Sequence, residues 1–79
     1  MSGAYSSKKI IALDCRDLEP PEPMVRVLEA VQAMTADEAV LMIHRKVPRL
    51  LLPRLKELGL TFELVEEQAD SVKLYIWRD

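Results

Sequence analysis

The stretch IIALDCRDLEPPEPMVRVLEAVQAM, residues 10–34, sets the order of the first structural elements. It opens on a short apolar run, which predicts a buried β-strand within residues 8–15. The proline-rich segment 17–23 follows. It predicts an extended loop, because proline has no N–H and disfavours helix in the residue before it. Pro23, or Glu22 just before it, fits the first turn of a helix, where a missing N–H costs nothing.

An amphipathic helix is predicted directly after this loop. Its apolar residues recur at helical spacing and form one stripe that faces a core. They are Met24, Val27, Leu28, Val31 and Met34. The apolar run 39–44 then predicts a second buried strand.

The second half of the chain predicts a short helix and a hairpin. The helix carries the apolar stripe Leu51, Leu55 and Leu58. Gly59 closes it as the C-cap. Pro53 lies inside this pattern and predicts either a distorted first turn or a helix that starts near Leu52. Two segments of alternating polarity, 61–66 and 72–77, predict a β-hairpin.

The predicted order of elements is therefore β-α-β-α-β-β. Right-handed β-α-β crossovers place both helices on the same face of one sheet. We predict a two-layer α/β (α+β) sandwich, in which one sheet face packs on the helices and the other is open. A single domain over residues 8–79 follows a flexible tail over residues 1–7.

Composition and charge exclude several classes of function. The chain has 79 residues, 49% of them hydrophobic, which is enough for one core. The net charge of -2 argues against nucleic-acid binding, so RNA binding is expected to be weak and to vanish at physiological salt. No apolar run spans a bilayer, no signal peptide is recognisable, and one cysteine makes no internal disulfide; we expect a cytoplasmic protein. The two glycines, Gly3 and Gly59, make no phosphate-binding loop.

The segment Leu13–Pro23 resembles the motif of TusA/SirA-type sulfur carriers. In that motif Leu-Asp is followed by a further Leu and then by Cys-Pro-x-Pro at the start of the first helix. The resemblance implies a mixed four-stranded sheet, whose first two strands are parallel neighbours, and a persulfide on the motif cysteine. Here Pro20 stands in the place of that cysteine, and Pro21, Glu22 and Pro23 match the remainder. The Pro-Pro-Glu-Pro variant resembles an uncharacterised bacterial branch, a domain of unknown function sometimes found beside hemerythrin-type domains.

One cysteine and one histidine follow the first two strands. Cys15 lies at the carboxyl end of the first strand and His44 at the carboxyl end of the second. In the fold that the resemblance implies, both reach the same sheet edge, where they would suit a thiol–base pair or part of a metal or haem site. The alternatives are a buried structural cysteine and a hydrogen-bonded structural histidine. Two ligands are too few for a structural zinc site, so no metal and no cofactor are assigned.

Basic residues gather at the same predicted edge. The cations Arg16, Arg45, Lys46 and Arg49 follow the two strands and suit anion binding by charge-assisted hydrogen bonds. Acidic residues of the same loops oppose this, and the alternative is a solvated rim of mixed charge. The candidate binding residues are Cys15, Arg16, Glu22, His44, Arg45 and Arg49. Of these, Glu22 is expected to act on the helix start rather than on a ligand.

The open face of the sheet is an alternative interaction surface. Val65, Lys73, Tyr75 and Trp77 are predicted to point away from the helices, and either Val40 with Met42 or Leu41 with Ile43 adds apolar surface. Tyrosine and tryptophan on an exposed apolar patch are typical of a contact surface. The alternative is that the N-terminal tail and long side chains cover this face.

Three functions follow from these observations. The leading hypothesis is a non-catalytic binding or interaction module on a sulfur-carrier scaffold, which recognises a protein partner or a small anion. The second is a sulfur or redox carrier that uses Cys15. The third is an RNA-binding domain, because the implied fold is similar to the C-terminal domain of a bacterial translation initiation factor. We expect a monomer or weak homodimer with no membrane contact and, because Pro20 replaces the family cysteine, no catalysis.

Overall fold

The strands and helices follow the predicted order. The structure is a computed structural model that describes residues 4–78. Its elements are β1 (Lys9–Asp14), α1 (Glu22–Ala33), β2 (Glu38–His44), α2 (Leu51–Glu57), β3 (Thr61–Gln68) and β4 (Ser71–Trp77), with a short 3-10 helix (Ala4–Ser7) ahead of β1. The predicted β-α-β-α-β-β order is confirmed.

The four strands form one mixed sheet in the order β1-β2-β4-β3. β1 and β2 pair in parallel, whereas β4 is antiparallel to both β2 and β3. The β3–β4 register is regular up to the pair Leu64–Leu74 and resumes at Glu66–Lys73, so Val65 is the extra residue of a β-bulge. The parallel pair brings the carboxyl ends of β1 and β2 to one edge of the sheet, where the loops leading into the two helices also lie.

Both helices pack on the same face of this sheet. The core cluster draws on α1, α2, β2 and β4: Val27, Val31, Leu51, Leu55, Val40, Met42, Leu74 and Ile76. Of the two alternatives for β2, Val40 and Met42 therefore face the helices, and Leu41 and Ile43, both half-buried, lie on the other face. The predicted two-layer sandwich is confirmed.

The ends of α2 show why this short helix stops and starts where it does. It begins at Leu51, so Pro53 lies in the first turn, where a backbone N–H has no partner within the helix. At the other end Gly59 has a φ of 75°, a left-handed conformation that glycine adopts without a Cβ penalty. The Gly59 N–H donates to the Lys56 carbonyl and the Leu60 N–H to the Leu55 carbonyl, both at 3.0 Å. These two bonds form a Schellman motif in which Gly59 directly follows the C-cap Leu58, and the prediction that Gly59 closes the helix is confirmed.

The segment predicted as a flexible tail covers one end of the open sheet face. Residues 1–3 lie outside the described part of the chain, and Ala4–Ser7 form the 3-10 helix. The Tyr5 ring stacks on the Tyr75 ring with centroids 4.1 Å apart and lies 5.0 Å from the Trp77 ring. Trp77 is consequently only 5% exposed, which corrects the expectation that its ring lies on an exposed patch.

We predict that Tyr5→Ala lowers the free energy of unfolding by about 1–3 kcal/mol, because it removes two aromatic contacts and a buried ring. The Trp77 emission should shift to the red as water reaches the indole. Urea titration followed by tryptophan fluorescence measures both effects, with Ser7→Ala as the control because Ser7 is exposed on the same 3-10 helix. An unchanged Trp77 spectrum in Tyr5→Ala would show that Tyr5 does not cover this face.

Candidate binding site

Cys15 and His44 lie side by side at the carboxyl ends of β1 and β2. The Cys15 N–H donates to the Ile43 carbonyl at 2.7 Å, which continues the parallel ladder past Asp14. The His44 Nδ1 atom lies 3.1 Å from the Cys15 carbonyl oxygen. A carbonyl oxygen only accepts hydrogen bonds, so Nδ1 carries the proton in this contact. The imidazole is therefore anchored through the backbone of Cys15 rather than through its thiol, and Nε2 is not used by this bond.

The Cys15 thiol belongs to the hydrophobic core. The residue is 1% exposed and packs within the core cluster under the helices. Burial raises the pKa of the thiol above its ordinary value, and the negative charge of Asp14 raises it further. The thiol is therefore neutral near pH 7 and shielded from large reagents. Because the thiolate is the nucleophile and the metal ligand, this cysteine is unsuited to sulfur transfer or metal binding in the folded chain.

Arg16 is held by its near neighbour Asp14. Its Nε and Nη2 atoms donate to the two carboxylate oxygens at 2.9 and 2.8 Å, and its backbone N–H donates to one of them at 3.1 Å. These bonds lower the pKa of Asp14 to about 2 and raise that of Arg16. The pair is neutral over the physiological range, so Arg16 contributes little net charge to a site for anions.

An apolar cleft opens between the proline-rich loop ahead of α1 and the loop ahead of α2. It has a volume of about 230 Å³. Its lining consists of Pro20, Pro21, Pro23, Met24, Met42, His44, Pro48, Arg49, Leu50 and Leu51. Apart from His44 and Arg49 the described lining side chains are apolar, and four are prolines whose rings have almost no rotamer freedom to lose on binding. Sequence reasoning does not identify this cleft. The available signal was a proline shortly ahead of each helix, on consecutive crossovers that end at one sheet edge.

A cationic depression borders the cleft on the side of the β3–β4 turn. It measures about 480 Å³ and is lined by Arg45, Lys46, Val47, Arg49, Leu50, Gln68, Ala69 and Val72. Arg45 approaches Asp17 at 3.6 Å, a long contact between two exposed groups that contributes little. Among the described side chains, no carboxylate forms an ion pair with Lys46 or Arg49. Lys46 thus lines the depression together with Arg45 and Arg49. Of these three cations, the two arginines are among the predicted site residues and Lys46 is not.

A second depression adjoins the cationic one, and its mixed charges make it less suited to anions. It is lined by Arg16, Asp17, Arg45 and Asp70, two charges of each sign. The attraction of the two cations for an anion is offset there by two carboxylates, whereas the described side chains that line the first depression are cations and neutral groups. Of the predicted residues, His44 and Arg49 therefore line the cleft, and Arg45 and Arg49 line the cationic depression beside it. Arg16 lines the adjoining depression, where the charges cancel.

Glu22, another predicted site residue, lies at the start of α1. Glu22 is exposed in the first turn of α1, where a carboxylate interacts favourably with the helix dipole.

Within the described residues, no three His, Cys, Asp or Glu side chains are grouped so that they could hold a metal ion. Neither helix of residues 4–78 is long and apolar enough to cross a membrane.

A comparison with known protein families finds one family whose profile matches most of the chain. The profile of a family described as "Uncharacterized conserved protein (DUF2249)" matches residues 12–78. The chain belongs to the DUF2249 family. The match runs from β1 to β4 and so includes both loops of the cleft and the cations beside it. A comparison with curated proteins finds no match, and a comparison with solved structures finds none either. The resemblance to domains of unknown function is confirmed, and the finer resemblance to sulfur carriers is taken up below.

Proposed function

We propose that this DUF2249 chain is a non-catalytic binding module. It recognises a protein partner or a small anion at the edge of the sheet where the carboxyl ends of β1 and β2 lie. One observation carries the proposal: Arg49 and Leu50 line both the apolar cleft and the cationic depression. The two features form one continuous surface on which apolar and charged recognition are combined. Binding sites commonly pair an apolar concavity with a few placed polar groups, and this edge has that composition.

Catalysis by the residues of this edge is not supported. A nucleophile needs an accessible, deprotonated group beside a base, whereas the Cys15 thiol is buried and its pKa is raised. The nearest base, His44, contacts the backbone carbonyl of that cysteine. For the same reasons a sulfur or redox carrier that uses Cys15 is the weaker candidate.

We further propose that the module derives from a TusA/SirA-like sulfur-carrier scaffold. The mixed sheet and the order of elements agree with the fold which that resemblance implies. Pro20, which stands where those carriers have their cysteine, is part of the cleft wall. In this proposal the position that bears the reactive sulfur in the carriers has become part of an apolar binding surface.

An NMR titration with sodium phosphate tests the position of the site. We expect the largest amide shifts at Arg45, Lys46 and Arg49, because phosphate accepts charge-assisted hydrogen bonds from these side chains. Arg49→Glu should weaken phosphate binding about tenfold, the loss expected for one such bond. Arg54→Glu is the matched control, since Arg54 is an exposed arginine of α2 that lines neither feature.

The same titration distinguishes this edge from the open sheet face. Shifts confined to Val65, Lys73, Tyr75 and Trp77, with Arg45 and Arg49 silent, would show that the anion binds elsewhere and would contradict the proposed site. Equal weakening by Arg49→Glu and Arg54→Glu would show a diffuse charge effect rather than a site.

A further inference from the structure

We propose that the ligand of this edge is an extended protein segment that carries an apolar side chain and a carboxylate side chain two positions apart. The inference rests on the proposed function and narrows it to one class of partner. The apolar side chain enters the cleft, and the carboxylate binds in the cationic depression. Leu50 and Arg49 contact the segment where it passes from one to the other.

The cleft fits one large side chain and favours an apolar one. Its volume of about 230 Å³ is enough for a single leucine or aromatic side chain. The prolines and Leu51 offer no hydrogen-bond donor to a polar group, so a polar side chain in the cleft would lose its water without compensation. Arg49 is the described side chain that provides donors at the cleft, and it is shared with the depression, whereas the Nδ1 proton of His44 is bound to the Cys15 carbonyl.

Leu50 indicates that the ligand is larger than a small anion. This side chain is 78% exposed, the highest exposure among the large hydrophobic residues of the described chain. It lies between the two features, where a phosphate or a free carboxylate leaves it in water. A polypeptide that spans both features covers it, and exposed apolar residues beside polar groups are typical of protein contact sites.

The charges favour an acidic partner in spite of the net charge of the chain. The chain as a whole carries -2, yet the depression beside the cleft is lined by Arg45, Lys46 and Arg49 without a described carboxylate. Side chains on one side of an extended segment recur every second residue, about 6–7 Å apart. A carboxylate two positions from the apolar residue therefore lies on the same side of the segment, as binding in two adjoining features requires. Because these cations are exposed, the attraction should weaken as salt is added.

A matched set of fluorescein-labelled peptides tests the inference. The first has a central leucine with glutamates two positions to either side, in a serine and glycine background. The second replaces the glutamates with lysine, and the third replaces the leucine with alanine. By fluorescence anisotropy we expect the first peptide to bind at least about tenfold more tightly than either of the others, because each lacks one of the two complementary contacts.

Single substitutions then assign the contacts. Leu50→Asp and Arg49→Glu should each weaken binding of the first peptide about tenfold or more. Leu58→Asp and Arg54→Glu are the matched controls, since both residues are exposed on or next to α2 and line neither feature. All four positions are exposed, so the variants are expected to fold, and circular dichroism verifies this.

The outcomes separate this inference from the proposed function. If phosphate perturbs Arg45 and Arg49 but no peptide binds, even at millimolar concentration by NMR, the inference is wrong and the proposed function stands as a small-anion site. A single-stranded oligouridine that binds these residues more tightly than the first peptide also overturns the inference. If neither phosphate nor any peptide perturbs this edge, both proposals fail.

Discussion

Leu55→Ala is expected to lower the free energy of unfolding by about 2–5 kcal/mol, the range for removing a fully buried leucine. Leu55 is 0% exposed and lies in the core cluster that joins α2 to the sheet. The substitution removes apolar contacts and leaves a cavity that the surrounding side chains fill only in part. A domain of 79 residues has a total stability of about 4–12 kcal/mol, so the variant loses a large part of it.

Urea denaturation followed by circular dichroism measures this effect, and the melting temperature should fall by about 4–8 °C per kcal/mol. Leu58→Ala is the control, because Leu58 is 47% exposed at the C-cap of α2. It is expected to cost less than about 1 kcal/mol. Similar losses in both variants would mean that α2 does not dock on the sheet through Leu55. The cleft would then lack its Leu51 wall, since Leu51 begins the same helix.

The Cys15 thiol is expected to react with Ellman's reagent about a thousandfold more slowly than free cysteine. The residue is 1% exposed, and its thiol pKa is raised by burial and by the charge of Asp14. Reaction therefore requires opening of the core, and an opening free energy of about 4 kcal/mol corresponds to a thousandfold protection. For the same reason the folded chain should gain no stable persulfide when it is incubated with a cysteine desulfurase and cysteine. Absorbance kinetics and intact mass spectrometry provide the two measurements.

A variant whose single cysteine is exposed provides the control for this experiment. Glu19→Cys combined with Cys15→Ala puts the only thiol on the exposed loop ahead of the cleft, where it should react at nearly the rate of free cysteine. Rapid reaction of Cys15 in the native chain would contradict the burial described above. A stoichiometric gain of one sulfur atom that Cys15→Ser abolishes would favour the sulfur carrier over the binding module.

Much of the fold follows from local patterns in the sequence. The apolar run of β1, the proline-rich loop and the helical spacing from Met24 to Met34 predict a strand, a loop and a helix, and the structure has each of them. The sequence predicts that Gly59 closes α2, because a left-handed residue ends many helices, and its φ is positive. These features depend on the residues within a turn or two of each other, which is why a single sequence is sufficient to predict them.

The composition of the candidate site was harder to predict. The sequence placed Cys15 and His44 at one edge, yet it did not show that His44 contacts the Cys15 carbonyl while the thiol enters the core. The sequence also predicts that Arg16 is a binding cation, although its guanidinium donates two hydrogen bonds to the Asp14 carboxylate. The side-chain direction at a strand end and the choice between neighbouring carboxylates depend on packing, which no spacing rule encodes.

What the sequence determined by itself was the order of the elements, the two apolar stripes and the ends of the helices, because those depend on backbone preferences of adjacent residues. Only the tertiary structure decided that Pro20 and Pro48, on separate loops, wall one cleft, and that Arg49 and Leu50 join this cleft to the cationic depression. Tyr5 likewise reaches Trp77 only after the sheet has formed. These contacts join residues far apart in the chain, and the parallel pairing of β1 with β2 and the antiparallel pairing of β2 with β4 bring them together.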